Sequence, residues 1–335
     1  MKTYTVAVVG ATGLVGQAII DCLIDRNFPL SSIRLLASER SAGQSLLVGE
    51  TMVLVEALQP ESFAGVDIAL FSAGGGVSEA YAPIAAQAGA IVVDNTSFFR
   101  MHDTVPLVVP EVNPDAIHQH QGIIANPNCS TAQLVLALNP IHKQYAITRL
   151  VISTYQSVSG AGKSAIDSLE KHTAQLMSGH SDAVPRHSIA FNVVPHIDSF
   201  LDNGYTKEEM KMVTEIQKIL GEPSLPVSVT CARVPVFIGH SEAVTVETAQ
   251  AIDPAEVRTL LANTPGVVVV DEPATLDYPT PREFSGQDPV GIGRIRQDLS
   301  VQNGIVFWCV ADNLRKGAAL NAVQIAELLV ARQLV

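Results

Sequence analysis

Residues 5–16 read TVAVVGATGLVG, and this stretch decides the fold. Residues 5–9 are an unbroken run of β-branched and small apolar side chains, the pattern of a strand buried on both faces. Gly10, Gly13 and Gly16 follow at once, and apolar spacing through Val15, Ala18, Ile19, Cys22 and Leu23 predicts a helix. A glycine turn between strand and helix is the context a dinucleotide-binding loop requires. The glycines permit a tight turn and close approach of backbone to a pyrophosphate, whose charge the helix N-terminus stabilises. Gly10, Thr12, Gly13, Leu14, Val15 and Gly16 are therefore expected to bind a cofactor.

Outward from this loop the strand–helix rhythm continues. Residues 33–37, 67–71 and 90–93 read as further strands, with a helix over 78–88. Such repetition predicts a Rossmann-type, doubly wound parallel sheet with right-handed crossovers. A short strand at 123–125 leads to Cys129, and there the rhythm changes. Helices are expected at 131–138, 163–177 and 207–220. Strands are expected at 149–155, 227–236, 243–248, 266–270, 291–296 and 305–311. Asp253 and Pro254 mark a helix start, as N-cap and first helical residue. Strands in succession predict a second, α+β domain with an antiparallel or mixed sheet. A last apolar helix covers about residues 317–334, and residues 277–289 read as a surface loop.

The 335 residues suffice for two domains at about 150 residues each. With 21 Lys and Arg against 33 Asp and Glu, the net charge of −12 argues against a nucleic-acid or membrane partner. A local basic pocket for an anionic substrate remains compatible with it. Cys22, Cys129, Cys231 and Cys309 are scattered without a CxxC pair, so neither a disulfide framework nor a metal site is indicated. No apolar run approaches the ~18 residues of a membrane span. The opening MKTYTVAVVG enters a strand at once, and the expected location is the cytoplasm.

The second strand ends in Ser38-Glu39-Arg40-Ser41. A carboxylate there suits the ribose 2′-hydroxyl of NAD, and an arginine suits the 2′-phosphate of NADP. Both types are present; two hydroxyls flanking an arginine favour the phosphate, hence NADP(H). Ser72, after another strand, is expected along the same crevice.

In Asn126-Pro127-Asn128-Cys129-Ser130-Thr131 a strand runs through a turn to a cysteine at a helix start. Backbone N–H groups there favour a thiolate and can hold an oxyanion. Cys22, Cys231 and Cys309 lie in apolar helix or strand patterns and read as buried hydrophobes. Of nine histidines, His240 stands out, after a glycine turn between two strands and seven residues beyond Arg233.

These residues resemble the aspartate-β-semialdehyde dehydrogenase family along essentially the whole chain. The matching segments are GATGLVG at 10–16, SERSAG at 38–43, DNTSFFR at 94–100, VPEVN at 109–113 and NPNCST at 126–131. TYQSVSGAG at 154–162, RVPVFIGHS at 233–241, VGIGRIRQD at 290–298 and ADNLRKGAALNA at 311–322 continue the match. The resemblance implies a nucleotide-binding domain of residues 1–128 with 313–335, and a catalytic, dimer-forming domain of residues 129–312. It implies Cys129 as nucleophile, His240 as acid/base and Gln156 as the amide orienting substrate. Arg233 then matches the anchor of the substrate carboxylate, and Glu208 and Lys211 a pair meeting substrate amine and phosphate. Arg100 and Asn128 match the rest of the phosphate site; Ser159, Gly160 and Asn313 match further cofactor contacts. The implied activity is NADPH-dependent reductive dephosphorylation of β-aspartyl phosphate through a cysteine thioester, on the route to lysine, diaminopimelate, threonine, methionine and isoleucine, by a homodimer. A related reductase of N-acetyl-γ-glutamyl phosphate shares the general plan, but its cysteine segment differs from PNCST. A cofactor-sensing protein on the same scaffold would lack the nucleophile or the base.

Overall fold

The computed structural model describes residues 2–335, and the chain divides into two compact units. One runs up to Asn128 and regains Gly317–Val335; the other is Cys129–Lys316.

In the first unit, β1 (Tyr4–Val9) passes through the glycine loop into α1 (Leu14–Asp25) and β2 (Leu30–Ala37). β3 (Ser45–Val48), β4 (Thr51–Ala57), β5 (Ile68–Phe71), α2 (Gly75–Gln87), β6 (Ile91–Asp94) and β7 (Ile123–Ala125) follow. The sheet order is β3-β4-β2-β1-β5-β6-β7, and only the β3–β4 pair is antiparallel. The chain leaves β1 toward β2 and β4, then returns on the other side at β5. β1 and β5 thus flank a topological switch point, where a crevice opens at the carboxyl ends of the strands. Val6, Val8, Leu35, Ile68 and Leu70 are wholly buried, which explains their continuous apolar runs. The β3–β4 hairpin is not anticipated by periodicity: Leu47, Met52 and Leu54 are exposed, so no buried face imposes alternation.

The second unit opens with α3 (Cys129–Tyr145), β8 (Ile147–Gln156), α4 (Lys163–Met177) and α5 (Lys207–Leu220). It continues with β9 (Val227–Arg233), β10 (His240–Thr248), α6 (Pro254–Ala262), β11 (Val267–Val269), α7 (Pro281–Phe284), β12 (Val290–Gln297) and β13 (Gly304–Ala311). The order β11-β12-β13-β10-β8-β9 has parallel β8–β9 and β11–β12 pairs and is otherwise antiparallel, a mixed sheet. α3, α5 and α6 cover one face, burying Leu150, Ile152, Val244, Val246, Ile305 and Phe307. The other face, with Val151, Ala243, Val306 and Trp308, is only half-buried. Asp253 caps α6 as expected, its side chain accepting from the Ala255 and Glu256 amides.

Several boundaries differ from expectation by about three residues, among them the starts of β2, α2, β10 and the last helix, and residues 277–289, expected as a surface loop, contain α7 with Phe284 buried. α3 continues past Leu138 through Pro140 to Tyr145. Interior proline costs a helix about 3 kcal/mol, but the last turn buries Ile141 and Tyr145, whose hydroxyl donates to Glu256 at 2.9 Å. β9 stops at Arg233, three residues early, because Pro235 has no N–H for the ladder.

A π-helical turn (Arg315–Ala319) precedes the last helix, α8 (Leu320–Ala331). α8 lies in the first unit's core: Val323, Ile325 and Leu329 are fully buried against a cluster that includes Ile19 and Leu23 of α1. Such burial is worth about 1.5–3 kcal/mol per side chain. The chain rejoins this unit at Gly317, not at residue 313. Residues 312–316 stay with the second unit because Asp312 accepts from the Gly286 amide, Asn313 from the Gly239 amide, and Arg315 pairs with Asp288.

α5 carries two expected site residues, and a reciprocal cap fixes its start: Glu209 N donates to Thr206 Oγ1 and Thr206 N to Glu209 Oε2. Thr206→Ala is expected to cost about 1 kcal/mol, read as a lower denaturation midpoint.

Candidate active site

In the first unit, a cleft of about 440 Å³ opens at the switch point between the loops after β1 and β5. Gly10, Thr12, Gly13, Ser38, Arg40, Ser41 and Ser72 line it, and Leu14, Val15 and Gly16 form the adjoining first turn of α1. Gly10 has φ +87°, and a Cβ there would stand 2.7 Å from Ser72 O. One on Gly16 would stand 2.1 Å from Gly10 O, so these two glycines bring turn, strand and helix together. At Gly13 the space is open, with only Gly10 O at 3.4 Å, and a ligand can approach the backbone there. The residues therefore fit a dinucleotide. Tyr81 and Val77 of α2 also line the cleft; nothing in their local pattern marks them.

Arg100, also in the first unit, is buried and held by carbonyls: Nε donates to Asn126 O at 2.9 Å and Nη2 to Asn95 O at 2.7 Å. Asn126 Nδ2 donates to Asn95 Oδ1, and Asn126 Oδ1 accepts from Asn321 of α8 at 2.6 Å. Asp94 folds the DNTS turn by accepting from Ser78 Oγ, Thr96 N and Thr96 Oγ1. Asn95, Asn126 and Asn321 stand inside matched segments, but their bonding depends on distant partners. Asn128 ends this unit, immediately before Cys129.

The second unit gathers the remaining residues. Cys129 is the first residue of α3 and the only cysteine of the four that is not buried. His240, first residue of β10, is fully buried. Its Nδ1 accepts from the Ser157 amide at 3.1 Å, with Ser157 Oγ also at 3.1 Å. An amide N–H can only donate, so Nδ1 carries no proton and the neutral ring holds its hydrogen on Nε2. Nε2 has no protein partner. Burial, and then the Arg233 charge, hold the His240 pKa well below that of an ordinary histidine. Ser157, which fixes this tautomer, was not singled out by sequence; only its place in QSVSG points to it.

Ser159 and Asn313, expected at the cofactor, have their side chains engaged in the same network. Asn313 Oδ1 accepts from Ser157 Oγ, Ser159 Oγ and the Gly239 amide, and its Nδ2 donates to Ser159 Oγ. Both residues are buried, so this bonding occupies their side chains with protein partners.

Arg233 is also buried, with Nη1 donating to Ser157 O at 2.7 Å. Burial lowers its pKa, while the neighbouring Cys129, Glu208 and Cys231 oppose that shift. The half-buried Cys129 thiol and the Glu208 carboxylate therefore lie close enough to Arg233 to act on its charge. Gln156 Nε2 points to Glu208 Oε1 at 3.4 Å. Lys211 Nζ donates to Asp198 Oδ2 at 2.8 Å and Glu208 Oε2 at 3.2 Å. Burial disfavours the Lys211 charge, but Glu208 and Asp198 together outweigh it and raise its pKa. Asp198 lies in a loop with no motif, and sequence gave no sign of it. A Cβ on Gly160 would stand 3.1 Å from Arg233 Nη1 and 3.2 Å from His240 Nε2. Gly160 thus keeps the face of both groups open. Among the described residues no group of His, Cys, Asp and Glu could hold a metal ion, and no helix is long and apolar enough to cross a membrane.

Comparison with known proteins agrees with this division of labour. Residues 5–120 match the family model described as semialdehyde dehydrogenase, NAD binding domain, and 138–316 the one described as semialdehyde dehydrogenase, dimerisation domain. An aspartate-semialdehyde dehydrogenase of Aquifex aeolicus is 51% identical over 99% of each chain. The chain belongs to the aspartate-semialdehyde dehydrogenase family. Family membership makes it an oxidoreductase of amino-acid biosynthesis that uses a nicotinamide cofactor. Aspartate-semialdehyde dehydrogenase 2 of Vibrio cholerae is 52% identical over 98% of each chain. The crystal structure of the Vibrio cholerae enzyme II complexed with ASA superposes with a TM-score of 0.96 at 50% identity, covering 99% of each chain. A Candida albicans aspartate semialdehyde dehydrogenase with NADP gives 0.79 at 28% identity over the whole of both chains.

Two outcomes are expected from this family member's site. Gly160→Ala should cut kcat on the order of 10–100-fold with little loss of stability, since a methyl displaces groups that must be placed to within about 1 Å. Alkylation followed by mass spectrometry should label Cys129 first: Cys231 and Cys309 are buried, and burial pushes their thiol pKa values upward.

Proposed function

We propose that the chain catalyses NADPH-dependent reductive dephosphorylation of L-β-aspartyl phosphate to L-aspartate β-semialdehyde, on the route to lysine, diaminopimelate, threonine, methionine and isoleucine. The observation that carries this reading is the buried Arg233 guanidinium with the Cys129 thiol and the Glu208 carboxylate near enough to act on its charge. A substrate with a carboxylate, an ammonium and an electrophilic carbonyl needs one fork-shaped cation, one anion and one nucleophile.

The Cys129 thiolate adds to the acyl carbon, the C–O bond to phosphate breaks, and inorganic phosphate leaves as the thioester forms. Bound NADPH supplies a hydride to that thioester carbon. The His240 Nε2–H would donate a hydrogen bond to the acyl oxygen and stabilise the charge that develops there; collapse of the reduced adduct then breaks the C–S bond, releasing the aldehyde and returning Cys129 as the thiolate. Arg233 anchors the α-carboxylate, Glu208 the ammonium, and Gln156 orients the acyl group. Arg100, Asn128 and Lys211 are assigned to phosphate. Lys211 shares its charge with Asp198 and Glu208. Ser38, Arg40 and Ser41 line the cofactor cleft whereas Glu39 is not among the lining residues, which supports NADP over NAD. The half-buried sheet face, where Tyr155 and Trp308 rings pack at 5.4 Å, supports a homodimer formed through this unit, and a cytoplasmic location belongs to the same proposed reading.

The test is phosphate-dependent reduction of NADP by aspartate semialdehyde, with NAD and N-acetylglutamate semialdehyde as controls. Cys129→Ala should abolish turnover while NADP binding persists; normal turnover by this variant would overturn the mechanism. Arg40→Ala should raise KM for NADP and leave NAD nearly unaffected. Glu208→Gln should weaken use of aspartate semialdehyde and relax rejection of N-acylated analogues; no change in either would mean the amine is not read by Glu208.

A further inference from the structure

Glu242 is fully buried, and the proposed mechanism does not use it. It lies two residues beyond His240 on β10, so both side chains point to the same face of the sheet. In register it sits opposite Cys309 of β13 and Thr154 of β8. From α3, the side chains of Ser130 and Gln133 face its carboxyl group. Ser130 directly follows Cys129, and Gln133 lies three residues further on, on the same helical face. Gln133 Nε2 also donates to the His240 carbonyl at 3.3 Å, tying the helix of the thiol to the strand of the imidazole.

An ionised carboxylate here would lack what it needs. Neither Glu242 oxygen finds a donor in hydrogen-bonding geometry. The thiols of Cys309 and Cys231 lie near it, and among the described residues no cation is found to act on its carboxyl group. A buried anion without a counter-ion is costly, whereas the protonated acid carries its own donor. The Ser130 and Gln133 side chains, as donors, favour the ionised form, but burial outweighs them. A negative charge beneath the first turn of α3 would also oppose a thiolate at its N-terminus.

We propose that Glu242 is a positioning residue, held as a neutral carboxylic acid, which with Gln133 sets the first turn of the helix bearing Cys129 against the strand bearing His240. Burial then raises its pKa well above the ordinary carboxyl value. The native state retains a proton that the unfolded chain releases, so this residue's contribution to stability declines as pH rises.

The inference rests on Cys129 and His240 as the reacting pair, and its stability arm does not depend on that reading. Unfolding of the full chain and of Glu242→Gln is followed from about pH 5 to about pH 8. The variant should gain stability relative to the parent as pH rises. A variant whose stability runs parallel to the parent across this range would show a carboxyl ionised in both the folded and unfolded states and overturn the proposal. Glu242→Gln should keep kcat within about twofold and leave the midpoint pH of Cys129 alkylation in place. Glu242→Leu should lower kcat about tenfold or more at little-changed KM and move that midpoint. Should it fail to fold, Gln133→Met reads the same tether from the helix side with the same expectation. Wild-type kcat and an unmoved alkylation midpoint in the variant measured would remove the positioning role.

Discussion

Arg233 carries a full charge to a place where water does little to stabilise it, and the catalytic unit is arranged around that charge. Its guanidinium is held by the Ser157 carbonyl and lies near Cys129 and Glu208. The same charge acts on His240, adding to burial in keeping the ring neutral. The cation thus favours a thiolate and disfavours an imidazolium at once. The proposed mechanism, through a thiolate and a neutral hydrogen-bond donor, needs both effects.

The consequences extend outward through polar groups that must find partners once buried. Ser157 offers its carbonyl to Arg233 and its amide to His240, so one residue places both. Asn313 then anchors the Ser157 and Ser159 hydroxyls and the Gly239 amide just before His240. The first unit solves a similar problem around Asn126, whose side chain bonds Asn95 and Asn321 while its carbonyl holds Arg100. In both units asparagine serves because one side chain offers donors and an acceptor together.

Much of the fold was legible in the sequence because its causes are local. The apolar run of β1, the glycines before α1 and the Asp253-Pro254 cap each act within a few residues. α4 and α5 begin and end where periodicity places them. The β3–β4 hairpin was not legible, since its exposed side chains leave no patterned face. The sequence reading ends this helix at Leu138, yet distant packing of Ile141 and Tyr145 carries α3 on through Pro140. In the site, Cys129 at a helix start and His240 after a glycine turn could be named from their surroundings. Asp198 and Ser157 could not, because nothing adjacent in the chain marks the groups they bond.

The sequence by itself determined most of the strands and helices to within a few residues, that a glycine loop opens a helix at the end of β1, and that one thiol stands at a helix N-terminus. These follow from steric and capping rules acting over one or two turns. Only the tertiary structure decided which tautomer His240 adopts, that Lys211 spends its charge on Asp198 and Glu208, and that α8 completes the core of the first unit. Each of those depends on groups far apart in sequence, brought within a few ångströms where burial makes an unpaired polar group expensive.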